Sequence, residues 1–185
     1  NAMQQSVAMQ NAVLGGGCFW CLDALFRQLV GVSSVESGYA GGIDTHPNYE
    51  SVCGGRTGHA EVIQITFDPE RISFDDLLAV FFSSHDPTTH NRQGHDVGTQ
   101  YRSVIVAQDS AQYAAALSCI ATVNSKGLFD KPIVTEVLEK MPFHKAEDYH
   151  QDYFTRHPEQ GYCAVVIGPK LARFRAQFAS RLKPT

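Results

Sequence analysis

The chain has 185 residues, 43% of them hydrophobic and 18% charged, with a net charge of −4. That length and balance suit one globular domain with a core of its own and argue against a disordered chain. No lysine or arginine run offers nucleic acid or an anionic membrane a docking strip, and no apolar run approaches the ~20 residues that span a bilayer. The start of the chain lacks a basic-then-apolar leader, so a cytoplasmic location is expected. Asn1-Ala2 ahead of Met3 reads as a tag remnant. Residues 1–11 are expected to be a flexible lead and residues 12–185 a single domain. The five cysteines are odd in number and irregularly spaced. With no secretion signal, that points to free, catalytic or redox thiols over a disulfide framework.

In chain order, Ala12-Val13-Leu14 is a short apolar run that feeds Gly15-Gly16-Gly17. Residues 18–30 carry a helical stripe of Phe19, Leu22, Phe26 and Leu29, which Gly31 can stop. Residues 32–39 read as a strand. Residues 40–58, rich in Gly, Asn, Thr and Pro, read as a long loop of the kind that is often functional. Residues 59–67 alternate so that Glu61, Ile63, Ile65 and Phe67 share one strand face. Ser73, with Asp75 and Asp76 behind it, starts a helix through Phe82. Residues 85–99 form a second polar loop, 103–107 a strand, and 110–125 a helix ended by Gly127. Another strand covers 133–138. A polar, aromatic tail over 143–162 leads through Cys163 to a last helix with Leu171, Phe174 and Phe178 on one side. The first six elements, βαββαβ, predict an α+β two-layer plait with a mixed, mainly antiparallel sheet, a split-βαβ core and a long C-terminal tail.

Cys18 sits between three glycines and a helical pattern. Backbone N–H groups at a helix start stabilise a thiolate, so a nucleophile of lowered pKa is one reading; a buried small hydrophobe is the other. Glu61 is anomalous on an apolar strand face. Either it is wet at the strand end, paired with Arg56, or it is buried and held protonated, which would make it a general acid. Phe19 and Trp20, the latter the only tryptophan, are core or the apolar wall of a pocket. Tyr49, Asp96 and Tyr101 lie in or beside the loops; tyrosine hydroxyls are neutral donors suited to an oxygen that gains charge. His85, His90 and His95 recur at a spacing that matches neither a helix face nor a zinc pattern. Cys21 is one helical turn from Cys18, and Cys163 lies in a loop that could move. Either could close a disulfide with Cys18. Cys119 belongs to a helix interior, and Cys53 to the Gly-rich loop.

Taken together, Gly-Cys18-Phe19-Trp20, Gly38-Tyr39-Ala-Gly-Gly42, Tyr49-Glu-Ser-Val-Cys53 and Thr57-Gly58-His59-Ala60-Glu61-Val62 make up the first half of an ordered motif series. His85-Asp86-Pro87-Thr88-Thr89, Gly98-Thr99-Gln100-Tyr101-Arg102-Ser103, Ala146-Glu147-Asp148-Tyr149-His150-Gln151 and Gly161-Tyr162-Cys163 complete it. From about residue 12 to 178 the chain resembles the methionine sulfoxide reductase A family. The resemblance implies that Cys18 is the nucleophile, that Phe19 and Trp20 receive the substrate methyl group, and that Glu61 protonates the sulfoxide oxygen. By the same resemblance Tyr49, Asp96 and Tyr101 hold that oxygen or organise the site, and Cys163 is the recycling thiol. Cys21 stands where the family often has glycine, which makes it a second candidate resolver. The resemblance further implies reduction of protein-bound or free methionine S-sulfoxide by a monomer, in protein repair under oxidative stress. A sulfenic acid and a disulfide would follow, with thioredoxin (or dithiothreitol) as external reductant and no bound cofactor. Two alternatives are a thioredoxin-like disulfide exchanger using Cys18 and Cys21, and a module that binds metal or peptide through its cysteines and histidines.

Overall fold

The computed structural model describes residues 8–184, so the tag remnant lies outside the described residues. In chain order it contains β1 (Gln10–Gly15), α1 (Phe19–Phe26), β2 (Val32–Ala40), α2 (Tyr49–Cys53), β3 (Ala60–Phe67), α3 (Phe74–Ser84), a small hairpin of β4 (Arg92–Gln93) and β5 (Asp96–Val97), and β6 (Val104–Val106). Then come α4 (Ser110–Ser125), β7 (Glu136–Leu138), β8 (His144–Lys145), α5 (Tyr153–Arg156) and α6 (Gly168–Gln177). The architecture is mixed α+β. Six strands form one sheet in the order β7-β6-β1-β3-β2-β8. Only the β6–β7 pair is parallel.

Side-chain alternation sorts the strands between two layers. Leu14, Ile63, Ile65 and Phe67 face the helices and pack with Leu22, Phe26, Leu77 and Phe81. Val13, Val62, Val104 and Val106 face the other way, where Leu138, Met141 and Phe143 cover them. Each fully buried Leu or Phe of this core is worth about 1.5–3 kcal/mol.

Several elements differ from their sequence reading. β1 starts at Gln10, inside the segment expected to be flexible. α1 ends at Phe26 instead of running on to residue 30. Tertiary hydrogen bonds take over there: Val30 N–H donates to the Arg181 carbonyl and Lys183 N–H to that of Gln28. Gly31, at φ +93°, then turns the chain into β2. The 40–58 loop contains α2, whose start is fixed by a capping box between Asn48 and Ser51. The 85–99 loop folds back as the β4–β5 hairpin, with Gly94 in its turn at φ +58°. The strand read over 133–138 is confined to Glu136–Leu138.

The largest correction concerns Cys163. Residues Cys163–Ile167 are helical and run into α6, so the thiol is not on a mobile loop. Cys163, Ile167, Leu171, Phe174 and Phe178 form one continuous helical stripe against the core. Its first turn was hidden by the polar tail before it.

Candidate active site

β1 delivers the chain to the site, and the three glycines are required by what surrounds them. A Cβ on Gly15 would meet the Glu61 carbonyl oxygen at 2.7 Å, and one on Gly16 would meet the His85 ring at 2.7 Å. Gly17 has φ +93°, and its N–H donates to the Tyr101 carbonyl. Cys18 therefore arrives as the N-cap of α1, half-buried. The buried His85 ring is itself held between the Phe81 carbonyl and the Ser103 hydroxyl. It is thus occupied, and among the described residues no group of three His, Cys, Asp or Glu could hold a metal ion.

Glu61 stands opposite Tyr39 in the β2–β3 ladder and is only 2% exposed. Arg56 does not pair with it; its Oε1 accepts the Phe19 N–H at 3.1 Å. Burial pushes its pKa from 4.5 up to about 8, the Phe19 N–H pulling down and the Asp96 charge pushing up. Of the two placements read for Glu61, the structure shows the buried one, and burial favours the protonated carboxyl.

The Cys18 thiol departs from expectation. Its pKa is raised well above its ordinary value, first by burial and then by the Glu61 charge. The Trp20 N–H at the start of α1 does lower it. In an eight-residue helix that pull does not offset desolvation, so the net direction is toward the thiol.

Cys18, Phe19, Trp20, Tyr49, Glu61, Asp96, Tyr101 and Tyr162 line one cavity of about 140 Å³. This is room for the end of a side chain, well below the size of a drug-sized ligand site. A wider groove of about 820 Å³ beside the 43–57 loop contains no thiol. Asp96 accepts the Tyr162 hydroxyl at 2.6 Å. Burial, followed by the Glu61 and Cys18 charges, raises the Tyr101 hydroxyl above its ordinary pKa, and burial also raises those of Tyr49 and Tyr162. All three remain neutral donors at the cavity wall.

The indole of Trp20 is fixed on two sides. It stacks on Tyr153 at 3.7 Å and 5°, and its Nε1–H donates to His150 Nδ1 at 3.0 Å. His150 Nδ1 is thereby an acceptor, so the neutral ring carries its proton on Nε2. Burial lowers the pKa of that ring and so favours its neutral form. Tyr153 was not singled out in the sequence, and His150 and Tyr162 stood there only inside motifs, with no role given. They come from the irregular tail, where no period marks the residues that face the site.

The two candidate resolving thiols are not among the cavity-lining side chains. Cys21 is 5% exposed and Cys163 fully buried, both in the main core. Burial raises both thiols. Cys21 does not line the cavity, but its charge is among the causes that raise the Cys18 thiol, and its N–H donates to the Cys18 carbonyl at 3.1 Å. Cys53 is exposed at the end of α2.

An α+β domain that presents one cysteine beside a protonated carboxyl and neutral hydroxyls, with an aromatic wall, has the makings of a cysteine-based oxidoreductase. Comparison with known proteins makes that class specific. The profile of the peptide methionine sulfoxide reductase family matches residues 10–182. Peptide methionine sulfoxide reductase MsrA of Ralstonia nicotianae is 54% identical over 187 residues, covering 99% of this chain and 98% of the relative. Mxr1 of Saccharomyces cerevisiae in reduced form superposes with TM-score 0.78 at 34% identity, covering 86% of this chain and 91% of Mxr1. A structure of Mxr1 in complex with Trx2 shares the fold at TM-score 0.57 and 22% identity, covering 82% and 91% of the two chains. The chain belongs to the peptide methionine sulfoxide reductase family, and with it to the oxidoreductases that reduce methionine sulfoxide. That membership displaces the disulfide-exchanger and metal-module alternatives.

Proposed function

We propose that the protein reduces methionine S-sulfoxide, protein-bound or free, by attack of the Cys18 sulfur on the sulfoxide sulfur. Glu61 carries the reading. A sulfoxide sulfur is a poor electrophile until its oxygen is protonated or strongly hydrogen-bonded, and Glu61 is a buried carboxyl with a pKa of about 8 on the cavity wall. At neutral pH it is an acid with a proton to give. Tyr49 and Tyr101 offer neutral O–H donors to the same oxygen. Asp96 holds Tyr162 in place. Phe19 and Trp20 form the apolar wall for the S-methyl group.

The balance of the first half-reaction is simple. The thiol and the sulfoxide yield a sulfenic acid on Cys18 and methionine; the oxygen moves to Cys18, whose sulfur is oxidised by two electrons as the substrate sulfur is reduced by two. A second thiol then condenses with the sulfenic acid, releasing water and forming a disulfide. Cys163 is the proposed resolver and Cys21 its competitor. Cys163 is buried at the start of the helical run into α6, one residue after the cavity-lining Tyr162. Exchange with an external dithiol protein such as thioredoxin, or with dithiothreitol, restores the thiols; the capture of yeast Mxr1 with Trx2 supports a partner of that kind. No bound cofactor enters the scheme.

Turnover of the separated S and R epimers of a methyl sulfoxide with dithiothreitol tests the reading. Consumption of the S epimer, abolished in Cys18→Ser, is expected. Reduction that persists in Cys18→Ser, or that prefers the R epimer, contradicts it.

A further inference from the structure

Glu147 lines no part of the cavity, yet it ties together the elements that shape it. Its Oε1 accepts the Tyr39 hydroxyl at 2.9 Å, and its Oε2 accepts the Tyr49 N–H at 2.9 Å. Its own carbonyl accepts the His150 N–H at 3.0 Å, which starts the turn that presents His150 to Trp20. Tyr39 is fully buried on β2, in contact with the Phe19 ring at 5.7 Å. It is a rigid post. Tyr49, by contrast, opens a five-residue helix inside an irregular stretch of chain. A helix that short has no stability of its own and takes its position from tertiary ties. Val52 is its one buried side chain, and its capping box is exposed and internal to the segment. The Tyr49 ring packs on His150 at 4.8 Å and on the main core; the bond from Glu147 to the first N–H of α2 is the hydrogen-bonded tie that joins Tyr49 to β2, and hydrogen bonds to a carboxylate are the strong kind.

We propose that Glu147 is a positioning residue for the reaction: its carboxylate clamps the start of α2 to Tyr39 and so sets where the Tyr49 hydroxyl meets the sulfoxide oxygen. The inference rests on the role given to Tyr49 above. It predicts that Glu147 affects the rate through Tyr49 and through nothing else in the oxygen-binding set. A misplacement of that kind acts on the transition state more than on ground-state binding, so kcat falls while KM for the sulfoxide changes little.

The test is a double-mutant cycle on kcat for a methyl sulfoxide with dithiothreitol. Glu147→Ala is expected to lower kcat about 10- to 100-fold. Glu147→Gln is expected to restore most of the rate, because its amide oxygen can accept the Tyr49 N–H while its amide N–H donates to the Tyr39 hydroxyl oxygen. Glu147→Asp keeps the charge but is one methylene too short to span both partners, and should lose rate as the alanine variant does; it replaces that variant if Glu147→Ala does not fold. In a Tyr49→Phe background the further loss from the Glu147 change should be under about twofold. If the two losses multiply, or Glu147→Gln is as slow as Glu147→Ala, the clamp is overturned while the reading of Tyr49 stands. If Tyr49→Phe alone keeps the full rate, the role of Tyr49 and the clamp fall together.

Discussion

Replacing Glu61 by Gln moves two observables in opposite directions. In the folded chain the carboxyl titrates near 8 instead of 4.5, so ionising it in place costs about 5 kcal/mol more than in water. At pH 7 roughly nine molecules in ten hold the proton. Gln keeps the size of the side chain, and its amide oxygen can still accept the Phe19 N–H that Glu61 holds at 3.1 Å. What is lost is the transferable proton, so single-turnover reduction of a methyl sulfoxide should fall by about 10²–10⁴. The Cys18 thiol should respond in the other sense. The Glu61 charge is one of the causes that raise it. Near about pH 9, where the wild-type carboxyl is ionised, the Gln variant should ionise Cys18 more readily and alkylate faster with iodoacetamide. Slower reduction with faster alkylation would identify proton donation as the role of Glu61. An unchanged reduction rate, or a parallel fall in both, would refute the argument.

Further outcomes follow from the same geometry. Between about pH 4.5 and 8 native Glu61 binds a proton that the unfolded chain has released. Its contribution to stability is therefore full below the lower value and is lost as pH rises through the upper one; Glu61→Gln should flatten that slope in urea melts across the window. Gly16→Ala should cost about 1–3 kcal/mol in the same melts, because its methyl group meets the His85 ring at 2.7 Å. Asp23, 1% exposed, pairs with Arg27 at 2.8 Å and accepts the Asp152 N–H at 3.0 Å. Asp23→Ala leaves the Asp152 N–H without its acceptor, while Arg27 keeps the Val35 carbonyl and the Asp152 carboxylate, and should cost about 1–3 kcal/mol. In Tyr162→Phe the 2.6 Å bond to Asp96 is gone, and KM for the sulfoxide should rise by about tenfold at most, with the thermal midpoint little changed.

Sequence patterns reached furthest where the local signal was complete. α4 spans the predicted residues because Asp109 caps it and Gly127, at φ +63°, ends it. The alternation along β3 placed Glu61 on the core face, and the structure shows it buried there. Cys18, Phe19, Trp20, Tyr49, Glu61, Asp96 and Tyr101 converge on one cavity; their convergence was legible through the family motifs, since nothing in the spacing of residues 18, 49, 61, 96 and 101 brings them together. What escaped has physical reasons. The end of α1 depends on hydrogen bonds to residues 181–183, far along the chain. The direction of the Cys18 thiol depends on desolvation, which outweighs the helix terminus that the sequence makes visible. The contacts of Glu147 and His150, quoted only as motif members, and of Tyr153 come from a tail without periodicity, and a hydrogen bond such as Trp20 to His150, 130 residues apart, leaves no local trace.

The central claim is that Cys18 takes the oxygen from a methionine sulfoxide and passes the oxidation to a second thiol. Its most direct test is mass spectrometry of the fully reduced protein after one turnover with the S epimer of a methyl sulfoxide and no reductant. The account predicts one methyl sulfide formed per chain, a loss of two hydrogens from the protein, and a disulfide that contains Cys18 and maps to Cys163. A protein left fully reduced, or oxidised with Cys18 outside the disulfide, would contradict it.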